Sequence, residues 1–201
     1  MNEFDDINIE EIRREIRVFN NDENTHRLEN YYNSKSLPEI LGSSRKELSH
    51  SSFLEWILNN KESHMLQEFP FRKFLELLVI YSKNSHLNKH KEFYDSIIIS
   101  DFEIINLKIE TEKSIKGVGR IDIYIECEIK YLKNCKKLRL IIENKVGTKE
   151  HSDQTFKYYK HYEEISSEND INLYVFLTPI SSLELLELEE PECSCKEYIQ
   201  I

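Results

Sequence analysis

Two short stretches carry ionisable groups where an ordinary strand would not need them. In Leu138-Arg139-Leu140-Ile141-Ile142-Glu143-Asn144-Lys145 an apolar run suited to a central strand ends in Glu143 and Lys145, which the two-residue period of a strand puts on one face. In Gly119-Arg120-Ile121-Asp122-Ile123-Tyr124-Ile125-Glu126 the apolar residues alternate, and Asp122 shares a face with Arg120, Tyr124 and Glu126. Alone, that alternation describes a solvated strand face; beside Glu143 it offers a second carboxylate. Carboxylates from two adjacent strands can hold a hard cation such as Mg²⁺, or Mn²⁺ in its place, which takes oxygen ligands and keeps room for water and phosphate oxygens. The cation would polarise a phosphoryl group and acidify water, and a lysine two residues past the second carboxylate could orient that water or offset developing charge. Lysine as the general base would need a strongly depressed pKa, a question that side-chain types alone leave open.

Such a site needs a sheet to hold it, and the second half of the chain reads as one. From Ile97 onward β-branched and aromatic residues recur in short runs separated by turn chemistry, with strands near Phe102 to Lys113, Arg120 to Glu128, Leu138 to Lys145 and Asn172 to Leu177. A helix from about Lys149 to Ile165 separates the last two. The first half reads as helical. Ile7, Ile9, Ile12, Ile16 and Phe19 give an amphipathic helix over Asp6 to Phe19, and a short helix leads to Pro38. Leu48, Phe53, Leu54, Ile57 and Leu58 form an apolar stripe, and a further helix runs from Met65 to Tyr81. Between Ser181 and Glu192 the chain is acidic and Leu-rich, and Pro191 stops a helix from continuing. The expected fold is α/β in a single domain, with a mainly helical portion over 1–96, a sheet-and-helix portion over 97–180 and an extension over 181–201.

Composition bounds what such a domain can be. The chain has 201 residues, enough for a core without disulfides, and 39% hydrophobic with 32% charged residues describes a folded globule. No apolar run reaches the length of a membrane span, and the acidic start from Met1 to Glu11 lacks the pattern of a signal peptide, so the expected location is cytoplasmic. Cys127, Cys135, Cys193 and Cys195 lack the paired spacing of a zinc site and read as reduced thiols. A formal charge of −10 argues against a broad positive surface for nucleic acid. It leaves room for clustered carboxylates that recruit cations, with phosphate contacts from a local basic strip.

Asp122 followed by Glu143-Asn144-Lys145 resembles the PD-(D/E)xK nuclease superfamily, whose pattern is an acid on one strand and Glu-x-Lys on the next. Ile121 stands where the generic pattern has Pro, and Gly-Arg-Ile-Asp resembles a common variant. Gln154-Thr155-Phe156-Lys157-Tyr158 resembles the Q-x-x-x-Y element of RecB-like members, and its Gln and Tyr share a helical face. Glu47-Leu48-Ser49-His50-Ser51-Ser52-Phe53-Leu54 resembles the first helix of a bacterial and phage-associated branch. The resemblance spans about residues 44 to 180. It implies a restriction-endonuclease-like fold, a central mixed sheet flanked by helices with an N-terminal helical segment. It also implies metal-dependent phosphodiester hydrolysis, with nucleic acid, DNA before RNA, as partner, and is compatible with a homodimer and with phage defence.

The implied roles are metal ligation by Asp122 and Glu143, with Glu47 as a third acid and Glu55 behind it, and a catalytic set of Asp122, Glu143, Lys145, Gln154 and Tyr158. Lys149, Lys157 or Lys160 would attract phosphate. His50 reads as a capping or packing residue, and Glu110 and Glu112 as an exposed strand face. The competing expectation is a nucleic-acid-binding or assembly module that keeps the fold with little turnover. Members commonly continue past the position of Ile201 into another helix, so a shortened chain is a further expectation.

Overall fold

The computed structural model describes residues 9–27, 46–146, 150, 153–178 and 193–201. Residues 1–44 and 45–201 are separate compact units. In the first, α1 (Ile9–Asn20) follows the expected amphipathic spacing, with Ile12, Ile16 and Phe19 all exposed. Asp22 Oδ1 accepts from the Asn24 and Thr25 amides and caps a helical turn at 23–27. The short helix expected before Pro38 falls outside the described residues.

The second unit runs α2 (Glu47–Leu58), α3 (Phe69–Tyr81), α4 (Asn84–Lys89), α5 (Lys91–Ile98), β1 (Glu103–Ile115), β2 (Gly119–Tyr131), β3 (Asn134–Asn144), α6 (Gln154–Ile165), β4 (Asp170–Leu177) and β5 (Tyr198–Gln200). The helix expected from Met65 starts four residues later. Met65 and Gln67 adopt positive φ, which ends any helix there, and Pro70 then fits the first turn of α3. On α2 the buried side chains are Ser51 and Leu58, while Leu48 and Phe53, expected in the apolar stripe, are exposed. The inward face follows 47, 51, 54 and 58, so a serine occupies what reads by residue type as a surface position.

The strands form one mixed sheet in the order β1-β2-β3-β4-β5. β1, β2 and β3 are an antiparallel meander, whereas β4 is parallel to β3 and β5 parallel to β4. A parallel neighbour requires a crossover, and α6 provides it between β3 and β4. Both faces of the sheet are covered. Ile123, Ile125, Leu140, Ile142 and Val175 pack with Leu58, Phe71, Leu75, Phe93 and Ile97 of the preceding helices. On the other face Tyr124, Ile141, Tyr174 and Phe176 pack with Tyr158 and Tyr162 of α6 and with Tyr198. β3 is therefore buried without a break from Leu138 to Asn144, as a strand covered on both sides must be, with Leu138, Leu140, Ile141 and Ile142 supplying its apolar contacts.

The one buried cation in the middle of β3, Arg139, is matched by acids on both neighbouring strands. It lies 2.8 Å from Asp170 on β4 and 3.4 Å from Glu126 on β2, so the polar residues of that stretch are an ion-paired brace rather than a solvated face.

Candidate active site

Pairing between β2 and β3 begins at Tyr131 opposite Asn134 and stops at Ile123 opposite Ile142. Beyond that point the strands part. Ile121 joins the α6-side core while Ile123 belongs to the opposite one, so the period-two alternation breaks across Asp122. The Asp122 carboxylate takes over where the backbone ladder ends: its Oδ2 accepts from the Asn144 amide at 2.8 Å. β3 stays tied to its other neighbour, with the Lys145 amide donating to the Leu177 carbonyl at 2.9 Å. The fork between β2 and β3 thus holds Asp122 on one prong and Glu143 and Lys145 on the other.

Glu143 is 0% exposed. Lys145 Nζ lies 2.7 Å from its Oε1, and no hydrogen-bond donor otherwise satisfies either carboxylate oxygen. Burial, and then the charge of Asp122, push the Glu143 carboxyl up to about 7 despite the nearby ammonium. Asp122 is raised too, chiefly by burial, although the Asn144 N–H and Lys145 pull the other way. For Lys145 burial is the largest single influence and lowers its pKa, yet Glu143, Asp122 and Glu47 together outweigh it and leave the group raised. Its carboxylate neighbours thus favour the ammonium form of Lys145.

Glu47 reaches the same place from the start of α2. Its Oε1 accepts from the Val146 amide at 3.3 Å, and its charge bears on both Asp122 and Lys145. Glu55 does not. It lies two turns further along α2, about 12 Å by helical rise, and accepts from Asn59 at the helix end. Glu110 pairs with Lys113, and Glu112 is held 2.7 Å from Arg120, so both have cationic partners.

At the first turn of α6, Gln154 Nε2 donates to the Tyr158 hydroxyl at 3.0 Å, and that hydroxyl donates to the Arg120 carbonyl at 2.7 Å. The pair therefore docks α6 onto β2 two residues before Asp122. Gly119 makes the docking feasible, since a Cβ there would stand 2.8 Å from the Tyr158 hydroxyl. Lys157 is exposed on α6, Lys160 lies 4.0 Å from Glu164, and Lys149 falls outside the described residues. Among the described residues no three or more His, Cys, Asp or Glu side chains form a ready-made metal cage. Mg²⁺ does not require one, because it is commonly held by one or two carboxylates with water completing the octahedron. The buried, unsatisfied oxygens of Glu143 beside Asp122 fit that donor set.

A family model of the PD-(D/E)XK nuclease superfamily matches residues 39–192. The chain belongs to that superfamily. Comparisons with curated proteins and with solved structures find no match. The match extends from before α2 to the far side of β4, so the fork and both elements that dock on it lie within the nuclease region. Two contributors to this PD-(D/E)XK fold escape reasoning from residue types. Ser51 is buried against Asn144, and only the i, i+4 relation to Glu47 marks it. Glu150 accepts from the Thr155 amide and hydroxyl and from Ser194, tying the first turn of α6 to the segment that leads into β5.

Proposed function

We propose that this nuclease-superfamily chain is a divalent-metal-dependent phosphodiesterase acting on DNA. In this reading Asp122 and Glu143 are the principal ligands of Mg²⁺ or Mn²⁺, and Glu47 is a third acid at the edge. The observation that carries it is Glu143: a fully buried carboxylate, unsatisfied except for Lys145, at the point where two strands part beside a second carboxylate. A buried acid in that condition is costly as a structural element and useful as a cation ligand. The bound cation would supply Lewis acidity at the phosphoryl group. Lys145 would hold the attacking water and offset charge as it develops on the phosphoryl oxygens.

Gln154 and Tyr158 act in this scheme by fixing α6 against β2, and the relay from Gln154 through the Tyr158 hydroxyl to the Arg120 carbonyl supports the RecB-like reading. The whole chain is taken as one nuclease-like domain, working in the cytoplasm. Purified protein is to be incubated with single-stranded and duplex DNA and RNA, with Mg²⁺, with Mn²⁺ or with chelator. Cleavage of DNA that needs the cation and disappears in Asp122→Asn is the expected result. Cleavage that survives chelation, or in Asp122→Asn, would remove this assignment. Binding without cleavage in all conditions would favour the assembly-module alternative.

A further inference from the structure

Asn144 occupies the variable position between Glu143 and Lys145, yet it is 4% exposed and all three of its N–H protons are engaged. Its amide donates to Asp122 Oδ2 at 2.8 Å. Its side-chain Nδ2 donates to the Glu47 carbonyl at 3.2 Å and to Ser51 Oγ at 3.1 Å. The first turn of α2 is thereby bound to the end of β3, at the place where the Val146 amide meets the Glu47 carboxylate. Three acids from three elements repel one another, and an apolar side chain at position 144 would supply no donor to the Glu47 carbonyl or to Ser51. Aspartate would have the shape and no donors; alanine would leave Ser51 and the Glu47 carbonyl buried without their partner.

Resting on the metal-dependent reading above, we propose that Asn144 is a positioning residue whose side chain fixes the first turn of α2, and with it Glu47, at the edge of the Asp122 and Glu143 pair and so sets the affinity of the site for its cation. The Asn144→Ala variant keeps the amide bond to Asp122 and removes only the arm to α2, which makes it selective for this role.

The test is a titration of the full chain with Mn²⁺ in the absence of nucleic acid, following free Mn²⁺ by electron paramagnetic resonance. It covers the parent, Asp122→Ala, Asn144→Ala, Ser51→Ala and the Asn144→Ala/Ser51→Ala double variant. Asn144→Ala should raise the binding midpoint by about 10- to 100-fold, the range for groups that orient metal ligands. Ser51→Ala should raise it less and add little in the double variant, because both act through one contact. In cleavage, half-saturation in Mg²⁺ should rise while the rate at saturating Mg²⁺ is largely kept. A merely structural role would lower the folded fraction and leave the midpoint of the folded molecules unmoved.

An unchanged midpoint in folded Asn144→Ala overturns the proposal, as does full additivity with Ser51→Ala. If Asn144→Ala does not fold, Ser51→Ala decides by the same criterion. Parent protein that shows no Asp122-dependent Mn²⁺ binding overturns the metal reading itself and this inference with it. Asp122-dependent binding that is indifferent to Asn144 and Ser51 overturns the inference alone.

Discussion

Removing a ligand and removing an ammonium should fail at different steps, and the geometry of the fork separates them. Asp122→Ala and Glu143→Ala should weaken divalent-cation binding and abolish cleavage. Lys145→Ala should spare much of the cation affinity, since an ammonium is no ligand, and slow single-turnover cleavage by roughly 10²-fold or more. Calorimetric cation titration beside single-turnover kinetics checks this; a Lys145→Ala rate equal to the parent's would deny lysine its role. Gly119→Ala tests the docking of α6, because its new methyl would meet the Tyr158 hydroxyl at 2.8 Å. It should cost at least as much as Tyr158→Phe, which loses both hydrogen bonds of that hydroxyl, worth about 1 kcal/mol each, as judged by denaturant unfolding of both variants. At this scale the types and spacing of Asp122, Glu143, Lys145, Gln154 and Tyr158 were legible before any fold was known. Ser51 and Asn144 were not, because a serine and an asparagine declare themselves as structural donors and acceptors only once their partners, some ninety residues away in the chain, are in place.

Strand β3 and helix α6 were readable from periodicity, while the shortest elements were missed. β5 has three residues and no room for an alternating pattern, and it forms only because β4 offers a parallel edge. α4 and α5 are short and meet at His90, so neither fills the window that a helical period needs. The β2–β3 hairpin illustrates what can be altered at this level. Leu132, in its two-residue turn, is 62% exposed and has φ 51, a conformation that strains a side chain bearing Cβ. Leu132→Gly should therefore raise stability by about 1 kcal/mol and leave cleavage unaltered, measured by thermal unfolding and the DNA assay. A fall in melting temperature would mean that Leu132 makes contacts that outweigh its backbone strain.

Across the molecule the formal charge is −10; acids gather at the fork, while Glu126 and Asp170 are paired with Arg139. No helix among the described residues is long and apolar enough to cross a membrane. Global stability should carry a signature from His90, whose ring is pushed down to about 4, first by burial and then by Lys89 and Lys136, with Glu163 opposing. The unfolded chain binds that proton near pH 6.5 and the folded one does not until about pH 4. Stability is thus present above 6.5 and lost as pH falls through this window. His90→Asn should flatten the dependence of melting temperature on pH between these limits; parallel curves for parent and variant would show that His90 is uncoupled from folding. The order of helices, three strands, a helix and a strand could be read along the chain, and the mixed sheet flanked by helices followed from the resemblance to the nuclease superfamily. The covering of both its faces could not, since the alternation along β2 resembles a half-solvated strand until α6 and its tyrosines are laid over it.

The fork at Ile123 and Ile142 has a consequence for how such a chain can change over generations. Every residue between the hairpin turn and the fork is counted off in pairs from Tyr131 opposite Asn134, and a side chain's face is decided by whether that count is odd or even. A slip of that pairing by one residue would turn Glu143 and Lys145 toward the helices of the opposite core and bring Asn144 to the fork, with every side chain between them still present. Residues gained in the turn leave the count untouched, whereas a residue gained or lost between Tyr131 and Ile123, or between Asn134 and Ile142, upsets it; lineages descending from this chain should therefore record gaps at the turn and almost none within the paired strands.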